Sequence, residues 1–348
     1  MQGEAVWRIP DPDYDRHPGY GRQFGAPTLG LRLKALARVL PYLCAYAAWD
    51  VVSRCRRRAA EGGRSSATFE ALQRDGVVAL RFTADERERI RTGLAPQIAA
   101  LRAKRAGIQV EPAAPSSEPR QGVLESVRRN GVLGALHKRL NPRPTPNMWF
   151  VLEEDAPEVF QILRQALDRH GALEAASRYQ GRKLDVRFLK LVINGAGERW
   201  WGAPFADLGM PEPPALTMHV DHLWTTKAIL YVSDVGERNG PFCYCLGSNH
   251  VRIGWLEGAA RRANDRVDFS SCEAEQRRMF SALPRALRRK AKFGNDLQPD
   301  DPAVTRLLAA EKRFTSEDGD LLLFDDRGMH RGGLVEEGER CILQIRLA

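Results

Sequence analysis

Three side chains in this sequence could hold one metal ion together. His219 and Asp221 stand two apart in the run Met218-His219-Val220-Asp221-His222-Leu223-Trp224. On extended backbone, alternate side chains point to one face, so an imidazole and a carboxylate at that spacing can reach a common ion. A His-x-Asp pair alone recurs by chance in many proteins. A second imidazole, His330, follows just after the strand-like run Gly319-Asp320-Leu321-Leu322-Leu323-Phe324. Two imidazoles and one carboxylate on a β scaffold make the facial set used for non-haem Fe(II), which leaves three octahedral positions open. Arg340 stands ten residues beyond His330, at the start of the final strand-like run. A guanidinium binds carboxylate bidentately and stays charged, so a neighbouring strand could use it to hold the far end of an organic dicarboxylate. Arg346, near the end of the same run, competes for that role.

Other side chains could complete a site around these. His222 follows Asp221 but points to the opposite face of an extended segment. Trp224 and Tyr231 come next along the chain and either line a pocket or pack in the core. Arg199-Trp200-Trp201 falls on the loop before the metal segment, where adjacent aromatic rings fold under or touch substrate. We take Trp224 and Trp201 as candidate substrate contacts and Tyr231 as a candidate cosubstrate contact. The basic run Arg285, Arg288, Arg289, Lys290 and Lys292 is either a solvated helix face or a lure for an anionic substrate.

The elements that must position these residues fall in two parts. Residues 1–66 form an N-terminal extension: an irregular Pro-, Gly- and Tyr-rich stretch, then a helix over 29–58 with an apolar stripe and a basic end at Arg54 and Arg56 to Arg58. That helix either packs on the main domain or lies on anionic lipid or a partner. Residues 67–348 form the second part. Strands are expected over Val77–Phe82, Leu184–Asn194, Thr226–Ser233, Phe242–Leu246, Asp320–Phe324 and Cys341–Leu347. Thr83 with Glu86 makes a capping box that opens a long helix, and 156–179 reads as helical. A basic, mostly helical insertion over 251–316 separates the later strands. This pattern predicts a mainly β fold with flanking helices, a jelly roll with a helical lid, and not a βαβ sheet.

Composition narrows the function classes. Lys and Arg total 53 against 44 Asp and Glu, for a net charge of +9 among 348 residues. Such a surplus admits nucleic acid, a membrane surface or anionic small molecules. No nucleic-acid readout motif, Gly-rich phosphate loop or nucleophile elbow is present, so the expected partner is a small-molecule substrate. No run of about 18 apolar residues is evident, so no transmembrane segment is expected. The six cysteines form no CxxC pair, and the first residues do not read as an export signal. A cytoplasmic location with reduced thiols follows as the expectation.

Taken together, three stretches resemble the phytanoyl-CoA dioxygenase family of Fe(II)/2-oxoglutarate-dependent oxygenases. They are His219-Val220-Asp221; Asn239-Gly240-Pro241-Phe242 leading to Gly247-Ser248-Asn249-His250; and Gly319 to Phe324 followed by His330-Arg331-Gly332 and Arg340. Asp75-Gly76-Val77-Val78 before a capped helix is similar to the family's opening. The resemblance spans about residues 68–348. It departs from the family at Leu246, where a proline is usual, at the extra Asn249 before His250, and in the spacing of Arg340, which is one residue short of the commoner eleven.

The resemblance implies a double-stranded β-helix (cupin-like) core. It implies Fe(II) held by His219, Asp221 and His330, 2-oxoglutarate chelating the iron with its far carboxylate on Arg340, and O2 in the last position. The outcome it implies is hydroxylation of an aliphatic carbon, with release of succinate and CO2. Two other classes stay open on the residues themselves. One is a Zn-dependent hydrolase, for which Thr217 stands where a first histidine is needed. The other is a non-catalytic jelly-roll binding protein.

Overall fold

The computed structural model describes residues 7–58, 66–108, 150–151, 156–196, 205–221, 225–270 and 273–348. Two antiparallel sheets carry the fold. The larger has the order β1 (Val77–Leu80), β7 (Leu321–Asp325), β4 (Thr226–Tyr231), β9 (Glu339–Leu347), β3 (Val186–Gly195), β2 (Phe150–Val151). The smaller has the order β6 (Glu311–Phe314), β5 (Phe242–Cys245), β8 (His330–Gly332). Each strand expected from the sequence is present, with ends moved by one or two residues.

Alternation along the strands sorts side chains between the faces of the large sheet. Ile229 and Tyr231 of β4, Leu322 and Phe324 of β7 and Ile342 of β9 point to the small sheet and pack with its Phe242, Tyr244 and Phe314. The Phe242 and Phe324 rings lie 4.6 Å apart between the sheets. The intervening residues Leu230, Leu321, Leu323, Cys341, Leu343 and Ile345 point the other way. They are covered by α2 (Ala67–Asp75), α3 (Ala84–Ile108), α4 (Pro157–Arg169) and α5 (Ala172–Gln180). Burying each such large side chain contributes about 1.5–3 kcal/mol. The single helix expected over 156–179 is two, because Gly171 takes a left-handed φ of 66° between them.

The 251–316 segment holds α6 (Trp255–Arg266), α7 (Ala274–Ser281) and α8 (Pro302–Ala310), and its last residues are not helical. Glu311–Phe314 pairs with β5 instead. The charged sequence Glu-Lys-Arg-Phe hides this strand, which suits a sheet edge: Lys312 and Arg313 are exposed and Phe314 turns inward. Nor is the whole basic run a solvated face: Arg285 is exposed, but Arg288, Arg289 and Lys290 are engaged. Lys290 is fully buried and reaches the Tyr20 hydroxyl at 2.5 Å and Asp296 at 3.3 Å. Arg288 pairs with Asp15 and Arg289 with Asp11. These cations clasp the N-terminal stretch to the helical segment. The 30-residue helix α1 (Leu29–Arg58) also packs there, mainly against α6. Among the described residues, one helical stretch, Leu29–Val52, is long and apolar enough to cross a membrane, with a mean hydropathy of 1.2 and 28% of that window buried.

The capping box forms as read: Glu86 N–H donates to Thr83 Oγ1 at 3.2 Å, and Thr83 N–H donates to Glu86 Oε2 at 3.0 Å. Burial opposes ionisation of Glu86, but His170, the Thr83 amide and Arg169 outweigh it and hold the carboxyl down at about 2. A depressed carboxyl pKa stabilises the fold above the unfolded value, and that contribution is lost as pH falls toward the folded value. Glu86→Gln should therefore destabilise the protein by roughly 1–3 kcal/mol at neutral pH. The deficit should fade between about pH 4.5 and pH 2. Chemical denaturation of both proteins across that range measures it, and a deficit that does not change with pH would sink the assignment.

Candidate metal centre

The two candidate imidazole ligands are brought together by backbone. His219 and His330 form an isolated antiparallel bridge. Each donates its N–H to the other's carbonyl at 3.0 Å. Residues directly opposite in such a pair put their side chains on one face, and the two rings sit 4.4 Å apart. Asp221, two residues beyond His219, falls on that face. Its Oδ1 lies 3.7 Å from His219 Nε2 and its Oδ2 lies 3.4 Å from His330 Nε2. The ligand atoms of all three residues lie within 4.8 Å of one another.

Both imidazoles are oriented through their other nitrogen. His219 Nδ1 faces the Thr217 carbonyl at 2.6 Å, and His330 Nδ1 faces the Gly328 carbonyl at 2.9 Å. A carbonyl only accepts, so each Nδ1 carries the proton and each Nε2 presents its lone pair toward Asp221. Burial first, then the neighbouring His330, pulls His219 down to about 4. It is neutral at physiological pH, as a metal ligand must be. Burial disfavours ionised Asp221, yet the Lys227 ammonium beside it holds its pKa well below the usual carboxylate range. This donor set, two imidazoles and a carboxylate, fits a divalent first-row metal.

The supporting groups come from three elements. The turn between β7 and β8 holds both sides of the centre. Asp326 accepts the Asp221 N–H on its carbonyl at 2.9 Å, and its Oδ1 accepts the Thr225 N–H at 2.6 Å. Ser248 Oγ accepts the Met329 N–H at 2.7 Å, while Asn249 donates to the carbonyls of Leu72 and Gln73. The Gly247-to-His250 run is thus a brace for this turn. Arg331 faces away from the centre and pairs with Glu311 at 2.6 Å. It also donates to the carbonyls of Pro214 and Leu216 at 3.1 Å, fixing the approach to His219. Thr217, between them, has a left-handed φ of 67°. A β-branched residue is strained there by about 1–3 kcal/mol. That backbone turn is what aims the Thr217 carbonyl at the His219 ring.

Arg340 lies on the inward face of β9, only 7% exposed. Its guanidinium donates to Asn194 Oδ1 at 2.8 Å and to the Gly240 carbonyl, and its buried Nε has no hydrogen-bond partner. No carboxylate pairs with it among the described residues. The group packs beside Gly332, and Gly332 is two residues along β8 from His330, roughly 7 Å. Arg346 lies at the other end of β9, in register with Lys227. Lys227 contacts Asp221 and lies 3.5 Å from Asp326. Tyr231 is inward and buried, but its hydroxyl donates to the Phe314 carbonyl at 2.6 Å and accepts the Phe242 N–H at 2.8 Å. It ties the two sheets together. Trp201, Trp224 and His222 lie outside the described residues.

Sequence reading missed Lys227, Asp326, Asn194 and Ser248. The one available signal was parity: Lys227, Ile229 and Tyr231 alternate on one strand, so Lys227 shares the inward face.

No protein-family model and no curated protein sequence matches the chain. Among solved structures it is similar to AviO1 from Streptomyces viridochromogenes Tue57, at 16% identity over 81% of this chain and 93% of that one, with a TM-score of 0.40. It is similar to EctD from S. alaskensis, solved with 2-oxoglutarate and 5-hydroxyectoine, at 13% identity over 82% and 77% of the two chains and a TM-score of 0.41. The epimerase SnoN, in complex with Fe3+, alpha ketoglutarate and nogalamycin RO, is similar at 13% identity over 80% and 81%, with a TM-score of 0.38.

A Cβ placed on Gly328 would fall 1.8 Å from the hydroxyl of the buried Tyr244. Gly328→Ala must therefore shift the carbonyl that orients His330. Calorimetric titration with Co(II) should show affinity reduced roughly 10- to 100-fold, and His330→Ala should abolish binding. Wild-type affinity in Gly328→Ala would show that this carbonyl does not set the imidazole.

Proposed function

We propose that the protein is an Fe(II)/2-oxoglutarate-dependent oxygenase built on a double-stranded β-helix, similar to the phytanoyl-CoA dioxygenase family. The observation that carries this reading is Arg340, a buried cation without an acidic partner among the described residues, set one side-chain step along the inner face from His330. A buried guanidinium is costly unless an anion meets it, and the far carboxylate of a metal-chelating 2-oxo acid supplies that anion at that reach.

In this reading His219, Asp221 and His330 hold Fe(II), and Arg340 with Asn194 receives the 2-oxoglutarate carboxylate. When bound, iron with 2-oxoglutarate and O2 supplies an oxidant for an aliphatic C–H bond, and the products are the hydroxylated substrate, succinate and CO2. The chain's own residues do the rest. Thr217 and Gly328 hold both imidazoles in the metal-binding tautomer. Phe242, Tyr244 and Phe324 wall the His330 side and exclude water. Lys227 balances the charge of the Asp221 carboxylate and lies 3.5 Å from Asp326. Lys190, Lys227 and Arg346 lie close enough for their charges to interact, and burial, then those two neighbours, lowers Lys190 to about 8. A cationic rim of this kind favours a small anionic substrate.

Anaerobic addition of Fe(II) and 2-oxoglutarate should give the visible charge-transfer band of the chelate. His330→Ala should lose it. Arg340→Ala should need roughly 10- to 100-fold more 2-oxoglutarate to reach it, matching the loss of a charge-assisted pair, and Arg346→Ala should match wild type. An iron-loaded wild type without the band overturns the reading, and zinc found by metal analysis would then favour a hydrolase.

A further inference from the structure

Helix α1 is apolar on two opposite sides, and the fold uses only one of them. Ala35, Val39 and Tyr42 are buried and join a core with residues of α6 and α7. Backbone contacts reinforce that side: Arg38 donates to the Val267 carbonyl at 3.1 Å, and Trp255 Nε1 donates to the Ala47 carbonyl at 3.2 Å. The far side carries Leu29 (73% exposed), Leu33 (57%), Leu40 (43%) and Val51 (54%). At 100° per residue these four fall within about 40° of one another. Eleven large hydrophobic side chains are exposed among the described residues; six are on α1 and two, Trp255 and Leu256, are on α6 beside it. Four of those six, Leu29, Leu33, Leu40 and Val51, lie on this face, and that concentration separates it from scattered surface apolar residues.

The charges around this face are mainly cationic, with Asp15 and Glu257 already paired to Arg288 and Arg261. Asp50 is the acidic residue of α1, and it is buried against Arg262 at 3.8 Å. Arg32 and Lys34 are exposed near the N-terminal end, and the sequence places Arg54 and Arg56 to Arg58 in the last turns. Beside the N-terminal end lies a cleft of about 690 Å³ whose charged lining is Arg32, Arg278, Arg285, Arg288 and Asp15. Arg288 is paired with Asp15. Arg278 and Arg285 are exposed and have no ion-pair partner among the described residues.

We infer that α1 docks the protein on the surface of an anionic membrane. The apolar strip would enter the boundary between headgroups and acyl chains, and the arginine-lined cleft would meet lipid phosphates. An amphipathic helix with cations around an apolar face lies in the plane of the interface. Spanning is disfavoured here, because it would strip Tyr42 and Asp50 from α6 and put the Asp50 carboxylate in hydrocarbon. A second copy of the chain would satisfy the apolar strip but would bring the two basic margins into repulsion.

Co-sedimentation of the full chain with vesicles tests this. Binding is expected to phosphatidylcholine vesicles containing roughly 30% phosphatidylglycerol, not to phosphatidylcholine alone, and to weaken at high salt. Leu33→Asp/Leu40→Asp/Val51→Asp should cut vesicle binding at least roughly tenfold, and Arg278→Gln/Arg285→Gln should weaken it with the apolar strip intact. Both variants should keep the wild-type thermal melt and the wild-type metal affinity, so the result is independent of the oxygenase reading. A wild type that ignores anionic vesicles, or a triple variant that binds them as well as wild type, overturns the proposal. So does a wild-type dimer in light scattering that the triple variant converts to monomer. Resistance of vesicle-bound protein to alkaline carbonate would point to spanning and also overturn it.

Discussion

The structure turns on a pair of backbone hydrogen bonds. The N–H and carbonyl of His219 are exchanged with those of His330, and this exchange decides that two imidazoles far apart in sequence share one face. Everything near it protects that register. The turn before His330 is held by Ser248, the Asp221 amide is tied to Asp326, and Arg331 fastens the approach to His219 onto the edge strand β6. A slip of one residue would send one imidazole to the opposite face and remove it from the centre.

Electrostatics divides the space between the sheets into two ends. At one end, carboxylates and cations crowd together: Asp221 ionises against the opposition of burial because Lys227 faces it, while burial drives Asp326 toward its neutral form. Lys227 is shared between them, so the end is close to neutral without a metal and gains positive charge with one. At the other end stands Arg340, which burial makes harder to keep charged. Between lies an aromatic lining, Phe242, Tyr244, Phe314 and Phe324, which supplies low dielectric and no competing ligands. That arrangement separates the candidate metal ligands from the buried guanidinium along one inner face.

Much of this was legible in the chain. The strands with hydrophobic alternation were read because packing on two faces fixes their pattern, and the Thr83–Glu86 box was read because capping is local. The triad and Arg340 were read because their residue types are demanding. What escaped was whatever partners decide. Glu311–Phe314 looks like a charged loop until β5 offers it an edge. Lys290 looks solvated until Tyr20 and Asp296 enclose it, and the basic run looks like a surface until Asp11 and Asp15 fold onto it. The apolar stripe of α1 was visible, but a stripe does not say which side is covered. Lys227 had no local signature, since it matters only through Asp221 and Asp326.

Thr217 has a consequence for how this protein could be improved. Its left-handed backbone is the sort of flaw that stability selection removes first: glycine or asparagine there would relieve the torsion. Yet the same torsion points the carbonyl that fixes the His219 ring, and a more relaxed residue would let it wander. Variants chosen for heat tolerance at position 217 are therefore the ones in which melting temperature and metal affinity should part company. The conformational tension is a local rigidity that the centre spends in keeping one tautomer.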